Sequence, residues 1–405
     1  MLDRTREPSR ERPFAFVSTM EGDAWGGSEE LWWSAALRLR KEGFRVRASL
    51  IGWEPVHPKV SALMAAGVDV QLRPQKYSVP RRGGRWLLRR RHSLTALDVE
   101  QWLRRDPPQL VIANQGCGLP PPDLTEVLRV NRWPYVTVTH VVTEFWWPDD
   151  DTAAKARAEA ASSLWSYFVS NANRDLALEQ YGIPASRTSV VRNPFNASHD
   201  ELVSWPSLDS GEHLALACVG RLDPISKGQD ILLRALATPA WGTRSWRLNI
   251  YGAGRMHDFI ERRISELGLG DRVFLRGHRS IREIWAENHA LVLPSRIEGL
   301  PIVIVEAMFC GRPVVTTDVA GNAELLEDGV DSFVAAAPTA RHVGEALERL
   351  WIRRGELQAM GEAAARSARR QLPRDPAGEF VLALKRWAVQ VDSEPSMPPG
   401  HHPQS

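Results

Sequence analysis

Leu291-Val-Leu-Pro-Ser-Arg-Ile-Glu-Gly-Leu-Pro-Ile-Val-Ile-Val-Glu-Ala-Met308 reads as a buried strand, a glycine-containing turn and a helix opening at Pro301, a residue suited to a first helical position. Glu298 then lies at the carboxyl end of the strand and Glu306 in the second turn of the helix. The free backbone N–H groups at the helix start point into the crevice where open α/β sheets bind ligands. Two carboxylates beside such an anion-binding terminus suit a ligand that carries both hydroxyls and phosphate. A nucleotide-sugar is a ligand of that kind.

Outward from this run, strand-like and helix-like apolar segments alternate, the pattern of βαβ units and mostly parallel sheets. Strands are expected over residues 14–18, 46–51, 110–113, 135–139, 167–170 and 189–192, and again over 214–219, 247–251, 273–275, 290–293, 314–316 and 332–335. Helices are expected over 28–41, 229–236 and 258–267, and three more, 340–351, 356–370 and 377–391, close the chain. Residues 193–211, rich in Asn, Ser, Pro and Asp, read as an interdomain linker. The division that follows is a flexible N-terminus (1–12), a first domain (13–195), a second domain (196–376), a returning helix (377–392) and a disordered Pro-, Ser- and His-rich tail (393–405).

A chain of 405 residues fits two domains of nearly 200 each. Its net charge of +2 gives no reason to expect a nucleic-acid partner. Cys117, Cys218 and Cys310 are far apart and odd in number, with neither metal spacing nor a disulfide framework, which suggests a reducing compartment. The charged N-terminus lacks the apolar core of a signal peptide, and no apolar segment reaches membrane-spanning length. A soluble cytoplasmic protein is expected. Ten of the sixteen tryptophans precede residue 170, and single ones are read as core. The pairs Trp32-Trp33 and Trp146-Trp147 differ, because neighbours cannot both face one core; one of each should face a cleft or a partner.

Several loops follow strands and carry chemistry. In Glu21-Gly-Asp-Ala-Trp-Gly-Gly-Ser-Glu-Glu30, Gly26 and Gly27 allow close backbone approach to a ligand and Ser28 can cap the next helix; a plain tight turn would look the same. In the loop from Cys218 to Asp230, Arg221 and Lys227 could converge on one diphosphate, Arg as a fork and Lys as a point charge, with Gly228 opening a helix. The competing reading of two solvated cations is disfavoured by their place at a strand's carboxyl end. Gly252 and Gly254 in Tyr251-Gly-Ala-Gly-Arg255, and Gly277, end strands in the same way; without a third glycine the first pair is no dinucleotide fingerprint. His140 ends the strand that begins at Tyr135 and faces the same crevice, although most such histidines are structural. Asp149-Asp150-Asp151 resembles a metal motif, but its place before a helix favours complementing the helix dipole, and no metal is assigned. Six arginines between Arg81 and Arg91 surround Trp86, Leu87 and Leu88, either a solvated loop or a patch for anionic lipid or a phosphorylated acceptor.

Together these pieces resemble the retaining GT-B glycosyltransferases of family four. The resemblance rests on Gly26-Gly27, on Val219-Gly-Arg-Leu222 with Lys227-Gly228, on Glu298-Gly-Leu-Pro301 through Glu306-Ala-Met308, and on Gly311-Arg-Pro-Val-Val315 and Gly321-Asn-Ala-Glu324. It is tight over residues 214–334 and looser before them. It implies two Rossmann-like domains facing across a cleft, with the last helix crossing back to the first domain. It further implies that Arg221 and Lys227 take the donor diphosphate, Glu306 the ribose hydroxyls and Glu298 a sugar hydroxyl, with Gly299 and Leu300 in the same turn. Gly27 would approach the phosphates or acceptor, and His140 would touch the sugar from the opposite domain. The implied activity is metal-independent, cofactor-free hexose transfer from a nucleotide-sugar to a saccharide or lipid-linked acceptor, with retention. Where family members often carry Asn-Gly, this chain has Arg192-Asn-Pro-Phe-Asn196. The competing readings are an epimerase or hydrolase acting on the nucleotide-sugar, for which no extra acid/base set is evident, and a non-catalytic binding protein, which would have less reason to keep both the cations and the carboxylates.

Overall fold

The computed structural model describes residues 7–75, 94–200, 203–206 and 213–393; the arginine-rich stretch from Arg81 to Arg91 and the tail beyond Ser393 lie outside them. Buried apolar strands alternate with amphipathic helices and build two wholly parallel sheets. The first contains β1 (Phe14–Ser18), β2 (Val46–Ile51), β3 (Asp69–Arg73), β4 (Leu110–Gln115), β5 (Tyr135–Thr139), β6 (Trp165–Phe168) and β7 (Thr188–Val190). The second contains β8 (Leu214–Val219), β9 (Trp246–Tyr251), β10 (Val273–Gly277), β11 (Ala290–Leu293), β12 (Val314–Thr317) and β13 (Ser332–Ala335).

The spatial orders are β3-β2-β1-β4-β5-β6-β7 and β10-β9-β8-β11-β12-β13. In each sheet the order in which strands are added reverses once, between β1 and β4 in the first and between β8 and β11 in the second. Doubly wound sheets bind ligands in the crevice at such switch points, beyond the strands' carboxyl ends. The carboxyl ends of β1, β4, β8 and β11 are thereby singled out: Gly26 and Gly27 follow β1, Asn114 lies near the end of β4, Arg221 and Lys227 follow β8, and Glu298 follows β11.

β3 was not expected. It is an edge strand of sequence Asp-Val-Gln-Leu-Arg, mostly exposed or half-buried, so it lacks the apolar run that marks its neighbours. Pro301 precedes the helix Ile302–Phe309 as its extended N-cap rather than forming its first residue. Ser28 caps nothing: a 3-10 turn, Gly27–Glu29, starts after an extended Gly26, and the Ser28 hydroxyl faces the Met20 sulfur.

The final helix, Pro376–Ser393, crosses to the first domain and sets Phe380, Val381, Leu384 and Ala388 into the core of the first sheet. The Trp387 ring lies tilted against Trp165, centroids 5.4 Å apart, and donates its indole N–H to Tyr167 Oη at 2.9 Å. Each buried side chain of this kind stabilises docking by roughly 1.5–3 kcal/mol. The N-terminal residues 7–12 are tied to the same region, Arg10 through the Glu42 carbonyl and Arg12 through Asp392. Among the described residues, no helix is long and apolar enough to cross a membrane.

Candidate functional site

At the second switch point two loops are locked together by backbone. Gly228 has φ +66°, and a Cβ there would overlap the Pro294 carbonyl, so only glycine lets the start of helix Gln229–Leu236 rest on the loop after β11. The Ser226 carbonyl accepts from the N–H groups of Arg296 and Ile297 at 2.7 and 3.2 Å. Arg296 in turn forks onto Asp230 at 2.7 and 2.9 Å. This strapping brings Lys227 Nζ to 2.5 Å from Glu298 Oε1, and Ser295 Oγ donates to the same oxygen at 2.7 Å. Glu298 is buried, so its charge is held by a cation and a hydroxyl rather than by water.

Gly252 and Gly254, expected to touch substrate, pack backbone against backbone. Added Cβ atoms would overlap Gly220 O and the Leu222 backbone, so these glycines press the loop after β9 onto the loop that carries Arg221. Gly277 turns with φ +64° and accepts from Gly252 N–H at 2.8 Å.

Across the gap, Arg221 pairs with Asp23 and Arg255 Nη2 donates to the Gly22 carbonyl at 3.2 Å. Gly27 lies against Ile302, the first residue of the helix that presents Glu306 on the same face one turn later. The glycine loop of the first domain thus faces the cation and carboxylate loops of the second. Glu306 Oε1 accepts from the backbone and side-chain N–H groups of Asn196 at 3.2 and 3.1 Å. Burial pushes its carboxyl up to about 7 against those bonds, with Glu30 of the first domain adding to the rise.

The backbones of His140 and Gly299 pack closely against each other across the two domains. A Cβ at position 299 would overlap the His140 carbonyl, and the Gly299 carbonyl accepts from Asn173 Nδ2 at 3.1 Å and Gly321 N at 2.9 Å. The Leu300 side chain, expected in the same site, packs between the domains. It is buried in an apolar cluster with Val169 of the first domain and Ile304.

Of the expected residues, the fold joins Lys227 directly to Glu298, sets Arg221 and Gly27 on facing sides of the cleft, and seats His140 on the Glu298-Gly299 turn. Sequence reasoning did not single out Asp23, Glu29, Asn114, Asn196 or Ser295. Asp23 and Glu29 stood inside the quoted glycine loop, and Asn196 inside the stretch that departs from Asn-Gly; nothing in the sequence marked Asn114. Asp149 caps helix Asp150–Ser162 by accepting from Thr152 N–H at 2.8 Å, the helix-end role expected for it. Trp33 packs under Lys59 rather than facing a cleft, whereas Phe145, Trp146 and Trp147 are all exposed. A hollow of about 650 Å³ between β6, β7 and the returning helix contains none of the expected residues.

The family described as Glycosyl transferases group 1 matches residues 213–352. Alpha-D-kanosaminyltransferase of Streptomyces kanamyceticus is 32% identical over 171 residues, 42% of this chain and 44% of that protein. Lipopolysaccharide 1,6-galactosyltransferase of Salmonella typhimurium is 26% identical over 240 residues, 58% of this chain and 63% of that one. The chain therefore spans about half the length of the curated relatives it matches. The crystal structure of Anabaena Alr3699/HepE in complex with UDP superimposes with a TM-score of 0.69 at 20% identity, covering 92% of this chain and 99% of that one. Residues 213–352, which carry Arg221, Lys227, Glu298 and Glu306, are thus similar to the glycosyl transferases group 1 family, and the two sheets have the architecture of the two-domain GT-B fold.

Proposed function

We propose that the chain transfers a hexose from a nucleotide-diphosphate sugar to a saccharide or lipid-linked acceptor, with retention of configuration and without a metal. The observation that carries this reading is the Lys227–Glu298 contact at the second switch point, opposite the glycine loop of the first. Cleavage of the sugar–phosphate bond builds negative charge on the leaving diphosphate. Lys227, and Arg221 once it leaves Asp23, are fixed cations that stabilise that charge, the work a divalent metal does elsewhere. Glu298 holds a sugar hydroxyl, and retention follows if the acceptor attacks on the face from which the diphosphate departs. The names of the matched relatives, transferases acting in lipopolysaccharide and aminosugar chemistry, and the UDP of the structural neighbour support this class of donor and acceptor. The arginines between Arg81 and Arg91 would bring the enzyme to the inner membrane face.

Lys227→Ala should lower turnover by about 10²-fold or more with the fold intact. The parent should remain active in excess chelator. Unchanged turnover in the variant would remove the leaving-group role, and activity restored only by added Mg²⁺ or Mn²⁺ would remove the metal-free mechanism.

A further inference from the structure

Asn114 lies at the first sheet's switch point, near the end of β4, and its side chain is fully buried. Its neighbours permit one orientation of the amide. The nitrogen is 3.2 Å from the Ser28 carbonyl, which can only accept, and 3.2 Å from Glu29 Oε1. The amide oxygen is therefore the atom 2.9 Å from His140 Nε2. That oxygen can only accept, so Nε2 carries the proton and a neutral ring leaves Nδ1 as a bare lone pair. Burial holds the ring neutral, its pKa pushed down to about 3. Nδ1 is itself buried and has no hydrogen-bond partner among the described residues, a desolvated acceptor on the residue whose carbonyl packs against Gly299.

We propose that Asn114, held by Glu29, is a positioning residue that fixes the Nε2–H tautomer of His140, so that Nδ1 must accept a hydrogen bond from a hydroxyl of the donor sugar. The proposal rests on the transferase reading. Glu29 is itself fixed by the Trp32 indole N–H at 2.8 Å. A row of buried groups, Trp32, Glu29, Asn114 and His140, thus runs from the first helix to the turn that carries Glu298. An acceptor-only atom makes a demand that a donor-and-acceptor group would not: the sugar must present an O–H at that point.

The experiment uses the full chain with ¹⁵N-imidazole-labelled histidine, the His140 signals being assigned by their loss in His140→Gln. The parent should show the neutral Nε2–H pattern without titrating between pH 8 and 5. In Asn114→Asp a carboxylate facing Nε2–H stabilises the imidazolium, and the ring should titrate inside that window. Should that variant fail to fold by circular dichroism, Asn114→Ser, whose hydroxyl both donates and accepts, should show a mixture of tautomers. A parent ring with Nδ1–H, a parent ring titrating near its ordinary value, or a single Nε2–H form persisting in Asn114→Ser would overturn the assignment. In a second arm, binding of UDP, GDP and UDP-glucose is compared with UDP-glucose lacking each sugar hydroxyl in turn. One deletion should weaken binding to the parent about 10- to 100-fold and to Asn114→Ser far less. Equal penalties in parent and variant would sink the proposal. If neither UDP nor GDP binds, the transferase reading fails while the tautomer result still decides the role of Asn114.

Discussion

Glu29 and Glu306 are carboxyls that burial has lifted from 4.5 to about 7 each. Between pH 4.5 and 7 the folded chain holds these protons while the unfolded chain releases them. Each residue therefore costs stability progressively as pH rises through that window, fully above it, on the order of 3 kcal/mol apiece. His140 and His289, lowered by burial to about 3 and about 4, act the other way below pH 6.5, favouring the folded state as pH rises. The clean readout is thus a variant minus its parent. The melting temperature of Glu29→Gln relative to the parent should climb from pH 5 to pH 8; a pH-independent offset would show that Glu29 ionises normally. At this scale Lys227 and Glu298 could be read from the sequence because charged residues just past an apolar strand stand out. Asn114 could not, since a polar residue near a strand's end shows its partners only after folding.

At the scale of elements, strong periodicity made most strands and helices readable, and chemistry set the joins. Gly228 and Gly299 mark places where two backbones touch, a demand no local propensity reveals. β3 escaped notice because half-exposed edge strands need no apolar run. The returning helix was expected from its apolar spacing, and its docking was implied by the family resemblance. Its anchor is Phe380, fully buried and edge-on to Tyr167 at 5.5 Å. Phe380→Ala should destabilise the chain by about 3–5 kcal/mol in urea unfolding. A loss under about 1 kcal/mol would mean that the helix is not part of the cooperative core.

For the whole molecule, the two domains meet through polar contacts as well as the Val169–Leu300 cluster. Glu324 accepts from Asn171 N–H at 2.7 Å and from Arg192 at 2.5 Å, and Arg221 holds Asp23. On the proposed function, a diphosphate entering the cleft would compete with Asp23 for Arg221 and gain Lys227. At 100 times its dissociation constant a nucleotide that binds only the folded chain should add roughly 2.7 kcal/mol of stability. A thermal-shift screen of nucleotides and nucleotide-sugars would identify the donor, and no shift from any of them would count against the cleft as a donor site. Replacing Arg89, Arg90 and Arg91 with Ser should weaken association with vesicles of anionic lipid, because each basic residue near such a surface contributes about 1 kcal/mol; equal binding would retire the membrane contact.

The sequence by itself determined the α/β class and the two sheets, and marked Arg221, Lys227, Glu298 and Glu306 as candidates at strand ends and a helix start. Apolar periodicity and residues at strand ends are local properties, written in consecutive positions. Only the tertiary structure decided that Lys227 meets Glu298, that Asp23 reaches Arg221 and that Asn114 orients His140. Those contacts join residues 26 to 198 positions apart, and burial, which sets both the pairing and the protonation, exists only once the sheets have closed on one another.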